Sequence, residues 1–417
     1  MPNSRAMTNF AYALVLLFPV LSNMFQHACT VSLLLLTLWG LPYCFSRKKR
    51  PDVLSHEKMV MWAFAAYFLV YLFVFLFHAV MGNLPDPRIK YIDHQARMVF
   101  IIPVFFLFRK IRIPEGILWY SVAIGALVAG LYAVIVGLLV NPGFRVYGSY
   151  HSIAFGDLSL TMAFMSLAGL HYFRLQQRRF GMALLWGSFV AGIAACVLSG
   201  TRGAWIAIPL LTAIAVLQYF RDLRLRTWAG ILAGMVIGAS LLYSIPQTQI
   251  AERIHLTYQE VQKYARGDKT TESSTSERLE GWLAAWTIVK HNPILGIGPG
   301  SFKTVVYKMI DRGERSEIIR KYHQPHSTYL AVMTDCGIPG LIALLTIFLL
   351  PVAVFARQIR HIPVVRDAGF AGFYLVASFM QYGLTETIFG QNVYIGFYIV
   401  MTALILRFCT DDKSVKP

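Results

Sequence analysis

The chain has 417 residues, of which 56% are apolar and 14% are charged. Soluble domains carry about 25% charged residues, so this composition excludes an ordinary soluble protein and indicates helices in a membrane. The net charge is +17. The basic residues lie mostly in short segments between apolar runs, where they orient a membrane protein, and this distribution argues against nucleic-acid binding.

Apolar runs of nearly membrane-spanning length recur from one end of the chain to the other. Such runs cross the hydrocarbon as helices, because a helix satisfies its own backbone groups. We predict an all-α, polytopic membrane protein with about twelve transmembrane helices. The first run lacks a convincing small-residue cleavage site, which favours a retained span over a signal peptide. The predicted spans are 8–25, 27–45, 59–82, 95–108, 116–140, 158–173, 182–199, 204–219, 228–245, 328–356, 369–385 and 391–408.

The spans divide the chain into three parts. We expect transmembrane helices 1–9 in residues 1–245, one long loop in 246–327, and the last three helices with a tail in 328–417. Lysine and arginine concentrate in alternate segments that include both chain ends, which places both termini in the cytoplasm. The long loop then lies outside, which in a bacterium is the periplasm, and the predicted location in that case is the bacterial inner membrane.

The long loop is predicted to be partly helical. Ile250, Ile254, Tyr258 and Val261 recur at helical spacing among polar residues. This pattern is typical of a helix that lies on the membrane surface. A helix packed on the rest of the loop would show the same pattern.

A second loop helix is predicted after Ser274, where Ser274 and Glu277 have the spacing of a capping box. The pair Asn292–Pro293 should end this helix. The glycine-rich stretch that follows, 296–302, lacks the lysine and the preceding strand of a nucleotide-binding loop. We therefore predict a tight turn that lets the loop pack on the membrane surface. The predicted apolar face of the helix contains Leu279, Trp282, Leu283, Trp286 and Val289.

Arginines on the outer side are the first candidates for a functional role. Arg145 and Arg202 lie in short outer segments, and an arginine near the hydrocarbon costs ~2.5–3.5 kcal/mol, so it usually has a partner. That partner is either an internal acid or an anionic ligand. If Arg145, Arg202 and Arg278 converge, a phosphate-bearing ligand is favoured, because the guanidinium fork matches phosphate oxygens. The candidate internal acids are Asp157, Asp335 and Glu386.

Two histidines, His323 and His326, lie at the outer mouth of the tenth span. A neutral imidazole accepts a proton from a hydroxyl near neutral pH. The alternatives are a helix cap, a packing residue or a metal ligand. No carboxylate or cysteine accompanies the pair, so we expect no metal.

Other polar groups have simpler interpretations. His151, with Tyr147 and Tyr150, either lines a sugar site or belongs to an ordinary span end, and the latter is preferred for the tyrosines. The cysteines lack metal-ligand spacing and are predicted to be small buried side chains. They are Cys29, Cys44, Cys196, Cys336 and Cys409.

Taken in order, these segments resemble a known family. Over most of its length the chain is similar to bacterial O-antigen ligases, whose superfamily also includes O-antigen polymerases and protein O-oligosaccharyltransferases. Ser327 stands where asparagine is frequent in the family. The matching motifs are the Arg145 segment, the small-residue-Arg-Gly signature at 199–203, Arg278-x-x-x-Trp282 leading to Pro293 and Gly296-x-Gly298, and Pro325-His326 with Tyr329, Leu330 and Gly337.

The resemblance implies a reaction. A glycan would move from undecaprenyl pyrophosphate to a hydroxyl of lipid A–core oligosaccharide at the periplasmic face, with inversion and without metal or cofactor. In this reaction we predict that His326 is the base. We predict that Arg145, Arg202 and Arg278 bind the diphosphate. His323 would orient His326 or contact the acceptor.

Two alternatives remain open at the sequence level. A polymerase uses the same donor but a second lipid-linked glycan as acceptor, and Arg145 and Gly156 have an Arg-x10-Gly spacing sometimes associated with polymerases. The long loop does not clearly repeat that spacing. A transporter of lipid-linked glycans would show charges deep in the spans and an inverted repeat, neither of which is clear in the sequence.

Overall fold

A computed structural model describes residues 4–45, 51–86, 88–148, 150–219, 250–266, 273–361 and 366–408, with isolated positions between 230 and 244. Within these ranges the regular secondary structure is helical, as predicted. The main helices are α1 (Ser4–Met24), α2 (Ala28–Phe45), α3 (Ser55–Val80), α4 (Ile101–Ile111), α5 (Glu115–Val134), α6 (Ser152–Ala168), α7 (Arg179–Leu198), α8 (Ala207–Tyr219), α9 (Ile250–Ala265), α10 (Ser274–His291), α11 (Phe302–Asp311), α12 (Thr328–His361), α13 (Arg366–Thr385) and α14 (Asn392–Phe408).

Eight helical stretches of the described residues are long and apolar enough to cross a membrane. They coincide with eight of the predicted spans, from the first to the tenth. The predicted fourth span, 95–108, is the short helix α4 preceded by helical turns. The predicted ninth, 228–245, lies outside the described residues apart from isolated positions, and the last two correspond to α13 and α14. The fold is thus that of a polytopic helical membrane protein.

The distribution of apolar surface identifies the centre of the bundle. Nearly every side chain of α6 is buried, whereas large apolar side chains on outer helices, such as Trp62 and Phe180, are 68% and 77% exposed. An apolar outer surface around a buried central helix suits a lipid environment. Small residues bring the inner helices close: a Cβ on Gly192 would lie 2.7 Å from the Ser159 carbonyl oxygen, as is typical of membrane bundles.

The cysteines occupy the places expected of small apolar side chains. Cys29, Cys196 and Cys336 are buried with free thiols, and Cys44 is half-buried. Cys409 lies outside the described residues. For the three buried cysteines the predicted packing role is confirmed.

A break in α12 organises the contact between the bundle and the long loop. At Gly337 the backbone has φ +63° and ψ −152°, so the helical hydrogen-bond ladder is interrupted. The freed carbonyl of Thr334 accepts the Ile297 N–H at 2.8 Å, and that of Asp335 accepts the Gly298 N–H at 3.1 Å. Backbone groups at membrane depth must be satisfied internally, and here the loop satisfies them.

The glycine-rich stretch of the loop is shaped for this contact. Gly296 has a positive φ, and a Cβ there would lie 2.4 Å from the Thr334 carbonyl oxygen. In the reverse direction, the Ile338 N–H donates to the Pro293 carbonyl at 2.9 Å. The predicted tight turn is therefore confirmed, but it packs on α12, whereas we expected it to pack on the membrane surface.

Helices α10 and α11 form a small apolar core within the loop. The side of α10 that faces this core carries Ala284, Ala285 and Ile288. Leu283 and Trp286 are instead 41% and 47% exposed, so the predicted apolar face is wrong for these two residues. The sequence pattern weighs bulk, whereas small side chains are the ones that allow helices to approach closely.

The cap of α10 also differs from the prediction. The Ser273 hydroxyl accepts the Ser276 N–H at 3.1 Å, so the cap lies one residue before Ser274. The Glu277 side chain does not turn back to the helix start, because its carboxylate accepts a hydrogen bond from the Tyr322 hydroxyl. The predicted capping box is wrong, although the helix begins where expected.

Helix α9 has the amphipathic pattern predicted for it. Ile254, Tyr258 and Val261 are 51%, 61% and 46% exposed. Its polar side faces the protein, where Thr257 and Glu260 contact other residues. The described part of the loop does not cover the apolar side, which favours the membrane-surface interpretation.

Close approach at the helix break can be separated from backbone strain by a pair of substitutions. Gly337 and Gly313 both have positive φ, but a Cβ on Gly337 would lie 2.4 Å from the Ile294 carbonyl oxygen, whereas one on Gly313 has nothing within 4 Å. We expect Gly313→Ala to cost about 1 kcal/mol and Gly337→Ala at least twice as much. Thermal unfolding of the purified protein in detergent measures both, and equal shifts would contradict the role of the contact.

Candidate active site

The backbone of His326 is held in an unusual conformation. Its φ of +52° lies in the left-handed region, which residues other than glycine rarely adopt and which is often found at functional sites. The Trp282 indole N–H donates to the His326 carbonyl at 3.3 Å. The Tyr322 ring meets the imidazole edge to face, with 4.7 Å between ring centroids. Helix α10 and the preceding loop thus fix this histidine from two sides.

The start of α12 is bound to the end of α13. The N–H and the hydroxyl of Thr328 both donate to the Glu386 carbonyl, at 3.1 Å and 2.8 Å. The buried Ser327 hydroxyl donates to the Gly383 carbonyl at 3.4 Å. Position 327 is therefore a packing position in this chain, and these contacts place His326 beside the Glu386 side chain.

The Glu386 carboxylate is 5% exposed and surrounded by polar partners. Its Oε1 accepts the Thr387 N–H at 3.0 Å and lies 3.4 Å from both His326 Nδ1 and Gln391 Nε2. Burial alone raises the pKa of Glu386, but the hydrogen bond and charge of His326, the Thr387 N–H and the charge of Arg278 bring this pKa below its ordinary value. The carboxyl is therefore ionised at neutral pH.

An ionised Glu386 fixes the tautomer of His326. A carboxylate only accepts hydrogen bonds, so the imidazole carries its proton on Nδ1, 3.4 Å from Glu386 Oε1. The lone pair then lies on Nε2. This is the arrangement of an oriented general base.

His151 extends the network to the start of α6. Its Nδ1 accepts the Ala154 N–H at 3.2 Å, so Nε2 carries the proton and donates to Gln391 Oε1 at 2.8 Å. Gln391 in turn lies 3.4 Å from the Glu386 carboxylate. A chain of polar contacts therefore joins His151 through Gln391 and Glu386 to His326.

Arg145 lies beside this network. Its Nε donates to the Ser199 carbonyl at 2.9 Å, in the signature turn at 199–203. The Thr201 hydroxyl of the same turn donates to the Ser152 carbonyl at 2.9 Å, at the start of α6. Burial is the largest cause that lowers the pKa of His151, and the charge of Arg145 lowers it further. Arg145 therefore lies within electrostatic range of the imidazole.

Arg202 belongs to the same turn but its guanidinium is already paired. Its Nη1 donates to the Thr257 hydroxyl and lies 3.6 Å from Glu260 Oε2. Its neighbour Gly203 packs on Thr385, and a Cβ there would lie 2.7 Å from the Thr385 hydroxyl. The backbone of this turn thus lies next to the Glu386 segment, while the Arg202 side chain pairs with α9.

Arg278 lies one helical turn before Trp282 on α10. Its Nη1 donates to the Ser274 hydroxyl at 3.0 Å. Its Nε is buried and has no hydrogen-bond partner within the described part of the chain. Since its charge also acts on the buried Glu386 carboxylate, Arg278 lies within electrostatic range of the His326–Glu386 pair and has a donor available.

His323 occupies a different position. It lines a cavity of about 290 Å³ together with Lys90, Lys303 and Pro325, and His326 is not part of this lining. Burial is the largest cause that lowers the pKa of His323, followed by the charges of Lys303 and Lys90. The predicted alternative of contact with the acceptor fits this placement better than orientation of His326.

Sequence reasoning missed two members of the network. Glu386 was considered as a partner for arginine, yet its carboxylate contacts an imidazole, and Gln391 was not considered. The position of Glu386 could have indicated a functional role, since it is an acidic residue between the last two predicted spans. Asp157, another candidate partner of the arginines, accepts instead a hydrogen bond from the Tyr394 hydroxyl at 2.5 Å.

Residues 187–345 match a family model described as O-antigen ligase. This part of the chain belongs to the O-antigen ligase family. The matched region runs from α7 through the signature turn and the long loop into α12, and it contains Arg202, Arg278 and His326. The resemblance inferred from the motifs is thereby confirmed. Arg145 and Glu386 lie outside the matched region.

A relative supports similarity over a longer stretch. An uncharacterized protein of Haemophilus influenzae is 24% identical over 330 residues, which cover 78% of this chain and 80% of that protein. The O-antigen ligase family indicates a glycosyltransferase of the ligase or polymerase type. The chain is accordingly a polytopic membrane protein whose residues 187–345 match the O-antigen ligase family.

The ionised state of Glu386 predicts how stability depends on pH. The pKa of Glu386 in the folded protein is below the ordinary value of 4.5. The ionised carboxylate therefore contributes fully to the free energy of unfolding above pH 4.5, and this contribution is lost as the pH falls through the lower folded pKa. Between about pH 6 and pH 3, the thermal unfolding temperature of the wild type should fall more than that of Glu386→Gln.

The matched control for this experiment is Glu314→Gln. Glu314 is an exposed carboxylate 3.7 Å from Arg312, and exposed pairs contribute little. The thermal unfolding temperature of the Glu314→Gln variant should depend on pH in the same way as that of the wild type. If Glu386→Gln also follows the wild type, the carboxylate is not stabilised by the network.

Proposed function

We propose that this protein transfers a glycan from undecaprenyl pyrophosphate to a hydroxyl of lipid A–core oligosaccharide, at the periplasmic face of the bacterial inner membrane. The observation that carries the proposal is the His326 imidazole, oriented by a buried carboxylate and adjacent to an arginine with an unpaired buried N–H. The family supplies the reaction class, a glycosyltransferase of the ligase or polymerase type.

The proposed step uses His326 as the base. The acceptor hydroxyl gives its proton to Nε2 while its oxygen attacks the anomeric carbon of the donor. The bond between that carbon and the diphosphate oxygen breaks, and the electron pair leaves with the diphosphate. Attack from the face opposite the leaving group inverts the configuration. Glu386 stabilises the imidazolium that forms, because it is an ionised acceptor on Nδ1.

In the proposed reaction the arginines hold the leaving group. Negative charge develops on the diphosphate as the bond breaks, and positive donors already in place there lower the barrier. Arg278 has its buried Nε available, and Arg145 has an exposed side chain next to the network. Arg202 would join them by exchanging the Glu260 carboxylate, 3.6 Å away, for a phosphate oxygen.

The position of the site suits lipid-linked substrates. His326, Glu386 and His151 lie at the ends of α12, α13 and α6, so the reacting groups would meet at the outer rim of the bundle. Both lipid tails would then remain in the membrane, with the termini of the protein in the cytoplasm. No metal and no cofactor is required, because the diphosphate is already a good leaving group.

Gly156, which forms the Arg-x10-Gly spacing with Arg145, has a packing role in this structure. A Cβ on Gly156 would lie 2.2 Å from the Ser199 hydroxyl oxygen and 2.7 Å from that of Thr201. Close packing of α6 on the signature turn accounts for this glycine. The ligase reaction therefore stays the preferred proposal within the family.

The first test combines the acceptor with a histidine variant. Purified protein with lipid-linked glycan should form a conjugate only when lipid A–core is added. We expect His326→Ala to lower the transfer rate about 100-fold or more while donor binding persists. The control is His291→Ala, because among the described residues this exposed histidine hydrogen-bonds within α10, to the Thr287 carbonyl.

Each alternative gives a different result in this assay. Growth of glycan on the lipid carrier without lipid A–core would identify a polymerase. Translocation of the donor that survives His326→Ala, with no conjugate formed by the wild type, would identify a transporter. Undiminished transfer by His326→Ala would remove the histidine from the mechanism.

A second test addresses the arginine next to the histidine. Arg278→Gln removes the charge beside the proposed leaving group, so transfer should fall about 100-fold. Arg312→Gln provides the matched control, because Arg312 is a 69% exposed arginine of the same loop. Initial rates at saturating acceptor measure both variants. Equal rates for the two variants would contradict a role of Arg278 at the diphosphate.

A further inference from the structure

The cavity that contains His323 abuts the proposed site without including its arginines. Its wall contains Pro325, which precedes His326, and Thr387, which follows Glu386. Neither Arg145 nor Arg278 belongs to its lining. A molecule in this cavity would therefore approach the proposed catalytic histidine from the side of Pro325 and Thr387, and the proposed diphosphate site would lie on the side of the arginines.

The lining of the cavity has an excess of positive charge. Its positive charges are the ammonium groups of Lys90 and Lys303, because burial lowers the pKa of the other two basic side chains, His94 and His323. The lining contains a single carboxyl, that of Asp335. Lys303 forms no ion pair with any described residue, and its ammonium instead lies 5.3 Å from the centroid of an aromatic ring. An anionic group would neutralise this excess.

Lys90 is also poorly neutralised. Its ammonium lies 4.0 Å from the nearest Asp86 oxygen, and Arg88 already pairs with the same carboxylate. The pKa of His323 is lowered first by burial and then by Lys303 and Lys90. The two lysines therefore act on a common space with uncompensated charge.

Two buried polar atoms in the wall have no partner. Gln95 Oε1 and Thr387 Oγ1 form no hydrogen bond within the described ranges, although the residues are only 8% and 6% exposed. Unsatisfied buried polar atoms are rare in native proteins and cost about 1–3 kcal/mol each. Both residues line this cavity, so its wall contains two polar side chains whose hydrogen bonding is incomplete among the described residues.

The remaining features fit a saccharide. The cavity volume of about 290 Å³ is at the lower end of the usual range for small-molecule sites. It is suited to one sugar unit with its charged substituent. Tyr91 contributes an aromatic ring to the lining, and aromatic rings with a few placed polar groups are typical of ligand sites.

We propose that this cavity is the acceptor subsite, and that it selects an acceptor sugar that bears a phosphate or carboxylate group. Lys90 and Lys303 bind the anionic substituent. The inference rests on the proposed transferase function, because it assigns the acceptor to one side of His326. It adds a charge requirement on the acceptor.

A binding experiment tests the charge requirement without turnover. The full-length protein in detergent is titrated calorimetrically with core oligosaccharide that has its phosphates intact or enzymatically removed. We expect the phosphorylated form to bind about tenfold more tightly, equivalent to about 1.4 kcal/mol. In a Lys90→Gln/Lys303→Gln double variant this difference should disappear. Equal affinities for both forms in the wild type would overturn the inference.

The control and the choice of probe sharpen the result. Lys308→Gln changes an exposed lysine of the same helix α11 outside this cavity, so it should keep the tenfold preference. Dephosphorylated oligosaccharide that carries a uronic acid distinguishes a carboxylate requirement from a phosphate requirement. A loss in the double variant that is equal for charged and uncharged forms would indicate a structural defect and overturn the inference.

Kinetics separate this inference from the proposed function. In the transfer assay the double variant should raise the KM for phosphorylated acceptor about tenfold and leave the KM for donor unchanged. If the wild type transfers glycan but the acceptor KM is insensitive to both lysines, the subsite is wrong and the function stands. If the charged oligosaccharide binds through the lysines but no transfer occurs, the function is wrong and the binding site stands.

Discussion

The structure depends on the broken helix α12 and on the loop backbone that repairs it. A transmembrane helix that breaks at Gly337 leaves carbonyls which the hydrocarbon cannot hydrate. The N–H groups of Ile297 and Gly298 satisfy those carbonyls, and the Pro293 carbonyl accepts in return. This exchange attaches the long loop to the bundle through backbone hydrogen bonds. The bonds fix the position of the loop relative to α12. Helix α10 is positioned by it, because α10 ends just before this turn.

Positioning α10 places its functional side chains above the start of α12. Trp282 then reaches the His326 carbonyl, and Arg278, one turn earlier, acts on the Glu386 carboxylate. From below, Thr328 binds the Glu386 backbone. The imidazole is thus fixed between the loop and the bundle, and its left-handed backbone conformation persists because contacts on both sides determine it. Local strain, the buried carboxylate and the adjacent arginine have the same structural origin.

The helices could be predicted from the sequence, as could Arg145, Arg278 and His326 near the network. The length of apolar runs, their lack of charge and the arginines in outer segments are all local features of the sequence. It predicted neither Gln391 nor the pairing of Glu386 with His326, since both arise where the ends of separate helices meet. It was wrong about Leu283 and Trp286, because the apolar pattern alone does not show that small residues face the loop core. It also missed the pairing of Arg202 with Glu260, which depends on how α9 folds back over the turn.

Charge is arranged around His326 in two separate groups. Arg145 and Arg278 lie near the carboxylate network, whereas Lys90 and Lys303 line the cavity beyond Pro325. The guanidinium fork suits a fixed diphosphate, and the compact ammonium on a flexible stem tolerates a variable anion. A donor common to many glycans and an acceptor that differs between cells would call for this division. In the proposed reaction, an imidazole between the two groups would be within reach of both substrates.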